Sequence, residues 1–170
     1  YGRSALRALK KLNETNSVDV VHLHCPRISW NKKQFDDCKK NVAPVVSSLH
    51  GSWLGEKDGL VTAAKQKEAA VWANPNDLAI LLSANRYARF ENAAIINSDV
   101  CIANSKATKE DFLKRYLVPE NWDCEVIYWG VDTEMFTIDN PINQDLRNRF
   151  GCSENGILLL AVGRLAARKG

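Results

Sequence analysis

The 170-residue chain contains no apolar run near the roughly 20 residues needed to cross a bilayer. Its start, Tyr1 and Gly2, lacks the basic, apolar and small-residue order of a signal peptide. Tyr1 in place of an initiator Met predicts that the N-terminus has been cut away. The five cysteines, Cys25, Cys38, Cys101, Cys124 and Cys152, form no CxxC pair and are odd in number. That usage excludes a disulfide framework and predicts reduced thiols in a cytoplasmic protein. Cys101 and Cys124 lie in apolar strand-like runs and read as small buried hydrophobes. Blocks of one charge sign are missing too. Lys and Arg number 23 against 20 Asp and Glu, interspersed, for a net charge of +3. So weak a field implies no nucleic acid, but it would suit phosphorylated ligands or a passing contact with an anionic membrane surface. GxGxxG, Walker A, GxSxG and HExxH motifs are absent, leaving a nicotinamide or ATP enzyme unsupported.

What is present is an ordinary globular composition, 45% apolar and 25% charged, enough to bury a substantial core. Residues 3–14 place Ala5, Ala8, Leu9 and Leu12 at helical spacing, and the valine-rich "VDVVHLH" follows as a strand. Residues 31–41 read as helical. "APVVSSLHG" is a second strand, opened by Pro44 and closed by Gly51. Two helical stretches, about 57–72 and 77–97, flank "NPND", where Pro75 breaks the first and Asp77 can cap the second. "DVCIANS" is a strand, Ser105 caps a helix carrying Phe112, Leu113, Tyr116 and Leu117, and "CEVIYWG" is another strand. The alternation predicts an α/β fold, a Rossmann-like parallel sheet with helices on both faces. Residues 137–155 form a polar connection with one short helix, and "GILLLAVG" opens a new strand. We therefore expect a domain over 1–137, a linker over 138–155 and the start of a second Rossmann-like domain over 156–170.

In parallel sheets ligands gather beyond the carboxyl ends of the strands, where His24, His50, Ser105, Gly130 and Arg164 all fall. Gly163 leaves the last strand without a side chain in a ligand's way. Arg164 offers a planar fork of donors for phosphate oxygens, and Lys169 adds a compact second charge. His50, followed by Gly51, can donate a hydrogen bond to a hydroxyl or carbonyl. His22 and His24 share one strand face beside Cys25, but no further ligands appear at a recognisable spacing, so packing or a single polar contact is expected and no metal. Glu91 is in register with the apolar stripe of its helix and needs a partner there. Arg86 and Arg89 are candidates, or could point toward an anionic ligand.

Taken in order, "VDVVHLH", "PVVSSLHG", Glu91 with "NSDVCIANS", "VIYWGVDTEMF" and "VGRLAARKG" resemble the family 4 glycosyltransferases of the GT-B fold. The resemblance covers Val18 to Gly170. It implies an acceptor-binding N-terminal domain facing a donor-binding C-terminal domain across a cleft. Sugar would pass from a nucleotide-diphosphate donor to the hydroxyl of a sugar, lipid-linked or small-molecule acceptor, with retention and with neither metal nor cofactor. Arg164, Lys169 and Gly163 would hold the donor diphosphate, and His50 would lie beside the transferred sugar. His24, Gly51, Ser105, Arg86 and Arg89 would line the acceptor side of the cleft. In "GVDTEMF", Gly130 would give a tight turn and Phe136 would pack; Trp129 stands where the family commonly has asparagine. The family's glycine-rich N-terminal loop and paired C-terminal glutamates are absent, so the 170-residue piece is expected to have no transferase activity alone. Two other readings compete: a noncatalytic Rossmann-like module binding a phosphorylated small molecule, and a GT-B hydrolase or epimerase of nucleotide sugars.

Overall fold

A computed structural model of the chain describes residues 2–24, 30–67, 71–139, 143–153, 156–159 and 162. Helix α1 (Gly2–Thr15) is amphipathic, with Leu6 buried and Leu9 packed against the same cluster. Strand β1 (Val21–His24) leads to α2 (Lys32–Asn41), which opens on a capping box. Asn31 Oδ1 accepts from Gln34 N, and Gln34 Oε1 accepts from Asn31 N, both at 3.2 Å. Two of the amides that every helix start leaves without a partner are thereby satisfied. Phe35 and Cys38, three residues apart on the inner face of α2, are completely buried.

Strand β2 (Val45–Leu49) is followed by α3 (Trp53–Lys65), a 3₁₀ turn (Val71–Ala73) and the long α4 (Pro75–Asn97). The sequence placed the first of these helices at 57–72 and capped the second with Asp77. The structure starts α3 earlier, because Ser52 adopts an extended conformation and caps it. It gives the second cap to Asn74, whose side chain accepts from Asn76 N and Asp77 N, with Pro75 at the first helical position, where no amide is needed. Strand β3 (Val100–Ala103), helix α5 (Lys106–Arg115) and strand β4 (Cys124–Val126) complete the unit.

All pairings are parallel, and the strand order β1-β2-β3-β4 follows chain order. This is the expected Rossmann-like α/β sheet with helices packed around it. Because strand side chains alternate, the register sends Val21, Val45, Ser47, Leu49, Cys101, Ala103 and Cys124 to one face, and all of them are buried. Leu6, Trp30, Phe35, Cys38 and Ala94 pack on the β1–β2 end of that face, and Ile95 and Phe112 on the β3–β4 end. Ser47, the polar member, accepts a hydrogen bond from Ser98 Oγ at 2.7 Å. Cys38, Cys101 and Cys124 are buried free thiols, and burial pushes the Cys101 thiol up to about 11. They serve as small apolar core residues, as the sequence suggested for Cys101 and Cys124.

The chain divides into two compact units, the first ending at Tyr128 and the second starting at Trp129. In the second, Asp132 Oδ1 accepts from the amides of Glu134 and Met135, both at 3.0 Å, and shapes the local turn. Phe136, expected to pack, is 67% exposed. The short helix expected in the connection is α6 (Gln144–Arg149), capped by Asn143 and closed by Gly151 at φ +65°. Arg147 donates to the carbonyls of Ser153 and Gly156 at 2.8 and 2.7 Å. Of the expected strand "GILLLAVG", residues 156–159 and 162 are described and are not in a strand. Ile157, Leu159 and Val162 are each more than four-fifths exposed. A strand needs a neighbour to take its backbone donors and acceptors, and none pairs with this run among the described residues.

Candidate functional site

The carboxyl edge of the sheet carries some of the residues the sequence singled out. His24 is the last residue of β1, and His50 and Gly51 leave β2 directly. The pairing of β1 with β2 brings the imidazoles together: the rings of His24 and His50 lie 5.7 Å apart and nearly coplanar in orientation, at 7°. His22, two residues back on the same face, has its ring 4.2 Å from that of His24. His22 Nε2 forms a 2.7 Å hydrogen bond with Ser48 Oγ across the strand pair. Of the packing or single polar contact expected for this pair, His22 makes the polar contact, to Ser48. Partial burial, then repulsion from His24, lowers the pKa of His22 below its ordinary value. Three rings in a row, one held by a serine, give a surface that can donate hydrogen bonds and stack against a flat or hydroxylated ligand. No group of three or more His, Cys, Asp or Glu suited to a metal ion exists among the described residues.

Immediately beyond His50 the backbone turns into α3, and a polar network around the buried Ser52 fixes that turn. Ser52 Oγ accepts from Gly55 N at 2.9 Å and donates to Asp111 Oδ2 of α5 at 2.5 Å. Arg115 Nε donates to Asp111 Oδ1 at 2.5 Å, and its guanidinium also pairs with Asp58 of α3. A Cβ on Gly55 would stand 2.7 Å from Ser52 Oγ and 3.0 Å from Asp111 Oδ2, so any larger residue there must displace the Ser52–Asp111 contact. Glu91, 1% exposed, accepts from the Trp53 amide at 3.0 and 3.2 Å and from the Tyr116 hydroxyl. Burial, and then the Glu91 hydrogen bond, raise the pKa of Tyr116 well above the usual phenol range. The sequence left Arg86 and Arg89 as possible partners for Glu91. Its partners here are instead the first amide of α3 and a phenol from the end of α5, while both arginines are exposed on α4. Trp53 stacks on Tyr87 at 4.9 Å, closing the α3–α4 side.

Ser105 caps α5, accepting from Thr108 N and donating to Thr108 Oγ1, each at 3.0 Å. Thr108 Oγ1 in turn donates to Asn104 Oδ1 at 2.7 Å, so the hydroxyl of Ser105 is committed to the β3–α5 turn. Gly163, Arg164 and Lys169 lie outside the described residues. Sequence reasoning missed Ser52, Asp111 and Arg115. The usable signal was a serine three residues ahead of Gly55, since serine before a helix is a strong cap candidate. Asp111 and Arg115 are an i,i+4 pair on α5, a local signal, but their contacts to Ser52 and Asp58, more than 50 residues away in sequence, left no local trace.

A parallel α/β domain with stacked imidazoles and capped helix starts along one strand edge belongs to the class that binds ligands at that edge. The model of Glycosyltransferase Family 4 matches residues 1–135, and the chain belongs to that family, one of sugar-transferring enzymes. No curated protein and no solved structure matches it.

Proposed function

We propose that the chain is the acceptor-side part of an enzyme that moves a hexosyl group from a nucleotide-diphosphate sugar to an acceptor hydroxyl, with retention and without a metal ion. The observation that carries this reading is the stack of His24 on His50 at the carboxyl edge, beside Gly51, in a chain of this family. His50 donates a hydrogen bond to the sugar where charge changes during transfer, and His24 fixes its ring plane. Gly51 and Ser105 line the acceptor side. Arg164 and Lys169, with Gly163 leaving room for close approach, neutralise the departing diphosphate. Residues 1–137 form the acceptor-side domain, 138–155 the linker and 156–170 the start of the donor-binding domain. The acceptor is a sugar, lipid-linked or small-molecule alcohol, and the enzyme works in the cytoplasm, in contact with the inner membrane face.

Labelled-donor transfer assays on the parent enzyme and on the 170-residue chain test this. The chain alone gives no turnover. In the parent enzyme, Arg164→Ala and Lys169→Ala each weaken donor binding and turnover; both staying within about twofold removes the diphosphate role. His50→Ala lowers kcat more than donor affinity, as an interaction made mainly in the transition state does. Release of free sugar or its epimer, without transfer, sinks the transferase reading.

A further inference from the structure

Helix α4 is much longer than the strands it covers. Its C-terminal end delivers β3 at the amino edge of the sheet, while Glu91 meets the Trp53 amide where β2 has just ended at the carboxyl edge. Residues 75–90 therefore run on past the sheet, roughly 24 Å of helix at 1.5 Å per residue. α3 packs along this overhang, with Lys57 Nζ donating to Asn85 Oδ1 at 3.1 Å. The two helices form a projecting hairpin that leaves the same edge as His24 and His50.

The surface of this hairpin is unusual for one facing only water. Trp72 is 69% exposed and Leu82 78%, with Leu78 also exposed. Leu78, Leu82, Arg86 and Arg89 follow one another at steps of four, four and three along one outward stripe of α4, opposite the buried Ala84, Ala88 and Glu91. Lys65 and Lys67 are exposed near the tip. Between residues 59 and 90 the sole acid among the described residues is Asp77, which is buried; Glu68 lies outside them. An exposed indole and leucines beside unopposed cations are what an interfacial anchor combines. No described helix is long and apolar enough to cross a membrane.

We propose that the α3–α4 hairpin docks the protein on an anionic phospholipid surface. Trp72, Leu78 and Leu82 enter the headgroup zone, while Lys65, Lys67, Arg86 and Arg89 face lipid phosphates. Charge decides against a second copy as the occupant, because a twofold interface across this stripe would set like charges against each other. The proposal stands on the hairpin and holds whether or not His50 acts on a sugar.

Co-sedimentation with vesicles of phosphatidylcholine, alone or mixed with phosphatidylglycerol, tests it on the full chain. Binding is expected for the mixed vesicles and not for phosphatidylcholine alone, and it weakens as salt rises. The Arg86→Glu/Arg89→Glu variant loses about tenfold or more in affinity, as does Trp72→Ser/Leu82→Ser. A charge-matched Arg3→Glu/Arg7→Glu variant on α1 stays within about twofold. All these side chains are solvent-facing, and circular dichroism checks that the fold persists; Arg86→Gln/Arg89→Gln replaces the reversal if helix is lost. Three results overturn the proposal. They are no binding to mixed vesicles at low salt, an equal loss from the α1 variant, and a dimer that Leu82→Ser dissociates without any vesicle binding.

Discussion

Replacing Glu91 with glutamine changes one atom and tests whether the buried carboxylate joins α3, α4 and α5. Both carboxylate oxygens accept from the Trp53 amide, and Oε2 also accepts from the Tyr116 hydroxyl. Glutamine keeps one acceptor oxygen for the two donors. Seated at the Oε2 position, that oxygen still accepts from both donors, so the cost is the lost charge and a new buried amide group whose N–H faces the Trp53 N–H. A hydrogen bond to a charged group contributes roughly 1.5–3 kcal/mol and an orphaned buried donor costs about 1–3, with partial overlap between the two. The expected destabilisation is about 2 kcal/mol, or a fall of about 4–8 °C in Tm for a chain of this size. Urea unfolding of the wild type, Glu91→Gln, Tyr116→Phe and the double variant measures it. The cycle should return a coupling of about 1 kcal/mol between the two side chains. A Glu91→Gln loss below about 0.5 kcal/mol, or zero coupling, would refute the claim that this contact ties the three helices.

Two other outcomes follow from the same edge. The pKa of His22 is lowered in the folded state, so the unfolded chain binds more protons near its unfolded value of 6.5. Stability should be complete above that pH and fall as the pH drops through it. Histidine NMR should place His22 below 6.5, and His24→Gln should move it back up; no movement would mean His24 exerts no field on it. Gly55→Ala gains about 1 kcal/mol of helix propensity, yet should still destabilise by about 1–2 kcal/mol through the clash with Ser52 and Asp111. Calorimetry showing a raised Tm would contradict that close approach.

The alternation of valine-rich runs with capped helical stretches made the parallel sheet legible, because buried parallel strands need no polar face. The helical reading of 31–41 and the cap at Ser105 placed the starts of α2 and α5 within a residue or two. Ser52 was overlooked since Gly55 and Gly59 interrupt the apolar periodicity of α3, so the pattern became readable only from residue 57. The pairing of His24 with His50 follows from β1 lying next to β2, which strand order alone determines. Glu91 could be recognised as inward-facing from its helical register. Its partners could not, because they are a main-chain amide and a hydroxyl brought in by two other helices, neither of which carries the opposite charge that a sequence search seeks.

The agreement of strand order with chain order bears on how this domain comes together. Each strand pairs with its immediate predecessor, so the sheet can be laid down in the sequence in which a ribosome releases it. Paired residues are about 24 apart for β1–β2 and about 54 apart for β2–β3. Closing the longer loop costs only about 0.7 kcal/mol more, since closure entropy grows with the logarithm of length. The crossover holding α3 and α4 is thus the place where this domain can lengthen its chain at little cost to assembly.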